Sequence, residues 1–161
     1  MNRAATTLFR EEQRFRQPWL WSLIALATAL EVTLAVVLLG AGTARGLVVL
    51  AAALLLPVLL ALLTLRTEVR PDGLHLRFWP LVRHRHLRPE EIVEATARTY
   101  RPIVEYGGWG LRFGSLGTAY NTSGNRGVQL LLASGRRLLI GSQRADELAA
   151  AIDAMRGRGA G

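Results

Sequence analysis

Residues Trp19–Leu39 read WLWSLIALATALEVTLAVVLL, Gly46–Leu65 read GLVVLAAALLLPVLLALLTL, and only Gly40-Ala-Gly-Thr-Ala-Arg45 separates them. Each run is close to the about 20 residues an α-helix needs to cross the hydrocarbon core of a bilayer. So short a joint allows only a tight turn, and the pair reads as a transmembrane helical hairpin with spans 19–39 and 46–65. From Arg66 onward the chain is polar, punctuated by glycine and patterned for strands. The expected fold class is α+β: a two-helix membrane hairpin, then a small antiparallel β domain over 66–156 closed by a C-terminal helix. Residues 1–18 read as a cytoplasmic leader and 157–161 as a flexible tail.

Composition narrows the partners. The 161 residues leave room for one soluble domain besides the hairpin. There is no cysteine, which excludes disulfides and thiolate metal sites. All twenty Lys-plus-Arg positions are arginine, the formal charge is +8 and the pI is near 11.4. Such a balance suits either anionic lipid or nucleic acid; two apolar spans favour membrane lipids, and no nucleic acid is expected.

The cations also set an orientation. Arg3, Arg10, Arg14 and Arg16 precede the first span and Arg66, Arg70 and Arg77 follow the second, whereas the joint carries only Arg45. The positive-inside rule then places both termini in the cytoplasm of a two-pass plasma-membrane protein. Arg14, Arg16 and Arg66 fall at the interface with Trp19 and Trp21, where an aromatic belt anchors a helix. A cleaved signal peptide, with Ala41-Gly-Thr-Ala44 as its cleavage site, is the competing reading. The long polar leader, the long apolar run and the second span all argue against it.

One ionisable residue, Glu31, lies in mid-span, where a charge is costly and invites a functional explanation. Pro57 in the second span removes a helical hydrogen bond and frees the carbonyl of Ala53. Counting outward from the joint sets Glu31 opposite Leu55, beside Pro57. A protonated Glu31 is therefore expected to donate across the hairpin as interhelical glue. The alternative is a proton or cation site in an oligomer.

In the soluble part, Thr67–Val69 and Leu74–Phe78 flank the turn Arg70-Pro-Asp-Gly73, and Leu74, Leu76 and Phe78 alternate with polar positions as in a half-buried strand. Arg83–Leu87, Ile92–Tyr100 and Leu111–Phe113 read as further strands. Gly127–Leu132 and Arg136–Ile140 form a hairpin about Ser134-Gly135. Asp146 and Glu147 suit the first turn of a helix over about 145–155, with Leu148, Ile152 and Met155 on one face.

Glu11–Trp19, the two spans, Arg77-Phe-Trp-Pro80, Pro89-Glu-Glu-Ile92, Tyr106-Gly-Gly-Trp-Gly110, Ala119-Tyr-Asn121, Gly127-Val128 and Leu139–Gln143 together resemble a family of uncharacterised bacterial membrane proteins. In that family two N-terminal transmembrane helices precede a pleckstrin-homology-like (PH-like) domain. The resemblance covers most of the chain, and Tyr106–Gly110 is its most specific element. It implies a fold and a topology, but no catalytic residues.

Three stretches are candidates for recognition. Tyr106-Gly-Gly-Trp-Gly110 reads either as a recognition surface with Trp109 as its anchor, or as a bulge whose glycines take positive φ while Trp109 fills the core. Arg83-His-Arg-His86 is a dense cationic run, suited to an anionic leaflet or to a solvated strand edge. His84 and His86 share a strand face, but no carboxylate or thiolate pattern accompanies them, so no metal or other cofactor is expected. Tyr120-Asn121 reads as a turn, and Tyr106, Arg112, Tyr120 and Asn121 could line a ligand pocket. The sequence contains neither a nucleotide loop nor a hydrolase elbow. The expected function is a non-enzymatic, membrane-anchored module that binds protein or anionic lipid at the cytoplasmic face, with a homo-oligomer among the assemblies it allows. The alternative is an accessory subunit or small oligomeric transporter using Glu31.

Overall fold

The structure is a computed structural model that describes residues 7–40, 42–114 and 116–159; Arg3, Ala41, Ser115 and the end of the expected tail lie outside them. The chain divides into two compact units. One is Phe15–Leu63; the other joins the stretch up to Arg14 to Thr64–Gly161.

The first unit is a pair of helices, α1 (Pro18–Leu39) and α2 (Ala44–Leu62), both long and apolar enough to cross a membrane. Proline at the first helical position starts α1, where its missing N–H costs nothing. Gly40 ends it at φ 75°. Thr43 then caps α2: its Oγ1 accepts from the Gly46 N–H at 3.1 Å and donates to the Leu39 carbonyl at 2.8 Å. Ala35 on α1 and Gly46 and Ala53 on α2 are buried, so small side chains let the backbones approach.

The buried and half-buried positions of α1 include Ile24, Thr28, Val32 and Ala35, and those of α2 include Gly46, Leu50, Ala53 and Pro57. Glu31 is exposed on the outer surface of α1. The expected bond from Glu31 across the hairpin is therefore corrected. The inward stripe runs through Val32, and the next residue back is turned some 100° away from it. Pro57 does face inward.

The second unit contains two sheets and a C-terminal helix. Sheet order in the first is β1-β2-β3-β4, all antiparallel: β1 (Phe9–Arg14), β2 (Thr64–Arg70), β3 (Gly73–Trp79) and β4 (Val82–Leu87). The leader expected over 1–18 is thus corrected over 9–14: it is a strand registered on β2, with Phe9 opposite Val69 and Arg14 opposite Thr64. The second apolar run is helical only to Leu62, and Thr64 and Leu65 already belong to β2.

The other sheet has the order β5-β8-β9-β7-β6, from β5 (Ile92–Thr99), β6 (Gly110–Gly114), β7 (Gly117–Asn121), β8 (Arg126–Leu132) and β9 (Arg137–Gly141). Its one parallel pair is β7 with β9. Tyr120-Asn121 lies in β7, so the turn expected there is corrected. A short helix α3 (Pro102–Tyr106) covers one face of this sheet, where Tyr100, Tyr106, Ala119 and Leu139 are buried together. Between the sheets lie the alternate residues Leu65, Val69, Leu74, Leu76 and Phe78 from one and Val128, Leu130, Leu138 and Ile140 from the other. Helix α4 (Ala145–Gly159) closes the core with Leu148, Ile152 and Met155, all fully buried. Each such side chain contributes about 1.5–3 kcal/mol on burial.

Candidate functional site

The strand period of two gives the first sheet an apolar inner face and a polar outer one. Its register aligns Arg10 with Glu68, Glu12 with Arg66, Arg66 with Arg77, and Glu68 with His75. Arg14 and Arg70 extend the same rows, and His86 stands opposite His75. With His84, the outer face thus holds five arginines and three histidines against two glutamates. A shallow depression of about 320 Å³ in it is lined by Arg10, Arg66, Arg70, Arg77, His75 and His84 among others.

The two glutamates are already engaged. Glu12 accepts from Arg66 Nε at 2.7 Å and from Arg14 at 3.0 Å. The bond from Arg14 above all, with Arg66 beside it, holds its carboxyl below the usual range. Glu68 accepts from Arg70 at 2.9 Å and is lowered mainly by that bond. Among the described residues Arg10 and Arg77 form no ion pair within 4 Å, so the face keeps a net positive field. Exposed pairs of this kind add at most about 1 kcal/mol of stability each; their effect is to set the charge a partner meets.

The cationic run Arg83–His86 divides between the two faces. His84 joins the outer face, its Nε2 3.1 Å from His75 Nδ1, and Arg83 is exposed. Arg85 points inward, donating to the Tyr120 hydroxyl at 3.1 Å with its guanidinium 5.8 Å from that ring. Tyr120 also meets Phe78 edge-on. A strand cannot present four consecutive side chains to one side, which is why the run splits.

Tyr106, Arg112, Tyr120 and Asn121, which could have lined one pocket, are not brought together. Tyr120 lies on the inner face of its sheet and Tyr106, the last residue of α3, packs on the other, both buried. Asn121 is fully buried and accepts from the Gly110 N–H at 2.8 Å. Arg112 is exposed, its Nε donating to the Trp109 carbonyl at 3.1 Å. Trp109 does not fill the core: it is half-buried, and its Nε1 donates to the Gly124 carbonyl at 2.9 Å, tying the loop before β6 to the loop before β8. Gly107, Gly108 and Gly110 do take positive φ, as the bulge reading requires.

Of the residues expected at a membrane interface, Trp19 and Arg16 are exposed and Trp21 Nε1 donates to the Phe15 carbonyl at 2.9 Å. Arg14 and Arg66 belong to the cationic face. Sequence alone did not single out Arg10, Arg77, His75 and Asp72 as members of one surface. The alternation in β3 signals the outward direction of His75 and Arg77, but only the register brings Arg10 and Asp72 to them. No protein-family model matches this chain, and no curated protein is similar to it. The chemistry of the cationic face is therefore what points to a function.

Proposed function

We propose that this protein is a non-enzymatic, membrane-anchored binding module that presents its cationic sheet to anionic lipid headgroups at the cytoplasmic face of a bacterial plasma membrane. On this reading α1 and α2 span the bilayer with both termini cytoplasmic. The second unit is PH-like: a four-stranded sheet, the antiparallel set β5-β8-β9 and C-terminal α4, with β6 and β7 as an added hairpin. Its order of elements is compatible with that description.

The point of attachment carries the proposal. The chain leaves the sheet at Arg14 and returns at Thr64, and these two residues are register partners. Both spans are thus tied to one end of β1 and β2, within a few residues of Arg14 and Arg66, with Arg77 the register partner of Arg66. A tether this short raises the effective concentration of the face at the surface, so weak contacts suffice. Each arginine near an anionic leaflet contributes about 1 kcal/mol.

The test uses the intact protein in nanodiscs with neutral or with anionic lipid. Because the chain lacks cysteine, Leu81→Cys in the exposed β3–β4 turn accepts a single fluorophore. Quenching by headgroup-labelled lipid is expected to rise with anionic lipid, fall at high salt, and fall again in Arg66→Gln/Arg77→Gln. Quenching indifferent to lipid charge and to both arginines would refute it, and crosslinking to a specific protein in native membranes would transfer the role to protein binding.

Assembly through the spans is favoured separately by Glu31. A carboxyl on the outer surface of α1 would face lipid unless another helix covers it. In-membrane crosslinking should then show an oligomer that Glu31→Gln retains and Glu31→Leu loses; the same pattern in both variants would remove this reading.

A further inference from the structure

We propose that Asp72, His75 and His86 form a binding site for a divalent transition-metal ion of the zinc type, with His84 as the residue that orients His75. Three pieces of backbone bring the group together. Asp72 comes from the β2–β3 turn, His75 from β3 and His86 from the facing position on β4. One ligand atom from each of the three lies within 4.8 Å of the others. His75 Nε2 is 3.2 Å from Asp72 Oδ1, and His86 Nε2 is 3.1 Å from the Asp72 main-chain oxygen. Both rings therefore turn the same nitrogen toward the same residue.

His75 and His86 stack with centroids 4.4 Å apart and planes at 11°. Bonds of about 2.0–2.2 Å from zinc to nitrogen and oxygen place ligand atoms some 3.3 Å apart. Closing the group from within 4.8 Å therefore means turning the two imidazoles out of their stack so that both Nε2 lone pairs meet one ion. On its far side His75 Nδ1 is 3.1 Å from His84 Nε2. A proton on His75 Nδ1 donated to His84 leaves the lone pair on Nε2 for the metal, the arrangement in which an outer residue fixes a ligand's tautomer.

Gly73 makes room for this cluster. Its φ is 148°, and a Cβ there would lie 2.4 Å from His86 Nε2 and 2.5 Å from the Leu87 carbonyl. The missing side chain leaves the space in which the His86 ring reaches Asp72. Two imidazoles and one carboxylate suit Zn²⁺, Cu²⁺ or Ni²⁺ rather than Mg²⁺, which prefers an all-oxygen shell. All three ligands are exposed or half-exposed, so an ion can enter and a water can complete the coordination. The expectation drawn from the sequence, of a histidine pair without a carboxylate, missed Asp72 and His75 because neither lies on β4.

Zinc titration by calorimetry of the intact protein in detergent tests this, with Mg²⁺ as control and circular dichroism checking the fold of each variant. One equivalent of Zn²⁺ should bind. Asp72→Asn, His75→Gln and His86→Gln should each weaken it at least about tenfold, His84→Gln about tenfold, and Arg83→Gln not at all. Zinc-dependent ¹⁵N shifts of the His75 and His86 rings in the unaltered protein provide a readout that needs no variant to fold. No saturable zinc binding up to about 1 mM, binding that survives loss of two of the three ligands, or equal affinity for Mg²⁺ would overturn the proposal.

Discussion

Tyr100 is 2% exposed, and its hydroxyl finds no hydrogen-bond partner among the described residues. Burial pushes its phenol up to about 12. The proton is therefore held more tightly in the folded chain than in the unfolded one, whose tyrosines titrate near 10. Stability from this group is complete below about pH 10 and is lost as pH rises toward 12, by roughly 3 kcal/mol for a two-unit shift. In Tyr100→Phe that part of the alkaline decline should vanish when urea unfolding is followed from about pH 8 to 12. At neutral pH the same variant should be as stable or slightly more so, because it removes a buried hydroxyl that is not satisfied.

Strand β1 is held by polar contacts as well as by its ladder. Gln13 Nε2 donates to the Gly141 carbonyl at 2.7 Å, and the Glu11 carboxylate accepts from Ser142 Oγ at 2.5 Å and from the Gln143 N–H at 2.9 Å. These bonds lock β1 to the end of β9 and the approach to α4. Gln13→Ala would leave a buried carbonyl without its donor and should cost about 1–3 kcal/mol, read by chemical denaturation. The β6–β7 turn has its own requirement. Gly117 sits at φ 107°, and a Cβ there would fall 2.2 Å from the Arg137 carbonyl on the neighbouring strand. Gly117→Ala should lower stability by at least about 1–3 kcal/mol through backbone strain alone. The contact with Arg137 adds to that, so the parallel β7–β9 pairing should be the first to lose amide protection in hydrogen exchange.

At the scale of the molecule, the two-helix unit is an insertion between strands that pair with each other. Loss of a buried anchor on β1, as in Phe9→Ala, should destabilise the second unit by about 3–5 kcal/mol, since Phe9 is 4% exposed. Differential scanning calorimetry of the full chain should show that loss in the transition of the β-rich unit, while circular dichroism shows the helical signal of α1 and α2 persisting.

Residue order alone determined the elements whose signals are local. Two long apolar runs specified α1 and α2, alternation specified β3, the Ser134-Gly135 turn specified the β8–β9 hairpin, and charge placement with a 3.6-residue stripe specified α4. The resulting class, two apolar helices followed by sheets and a C-terminal helix, was legible for the same reason. Strand β1 was not, because FREEQR at Phe9–Arg14 is mostly polar and its partner follows two helices later. Nor was β7, whose parallel partner β9 follows only after the intervening strand β8. The outward direction of Glu31, the inward turn of Arg85 and the meeting of Asp72 with His75 and His86 were also decided in three dimensions. Each depends on which face a side chain occupies and which element lies opposite; within the sheets, long-range register fixes both.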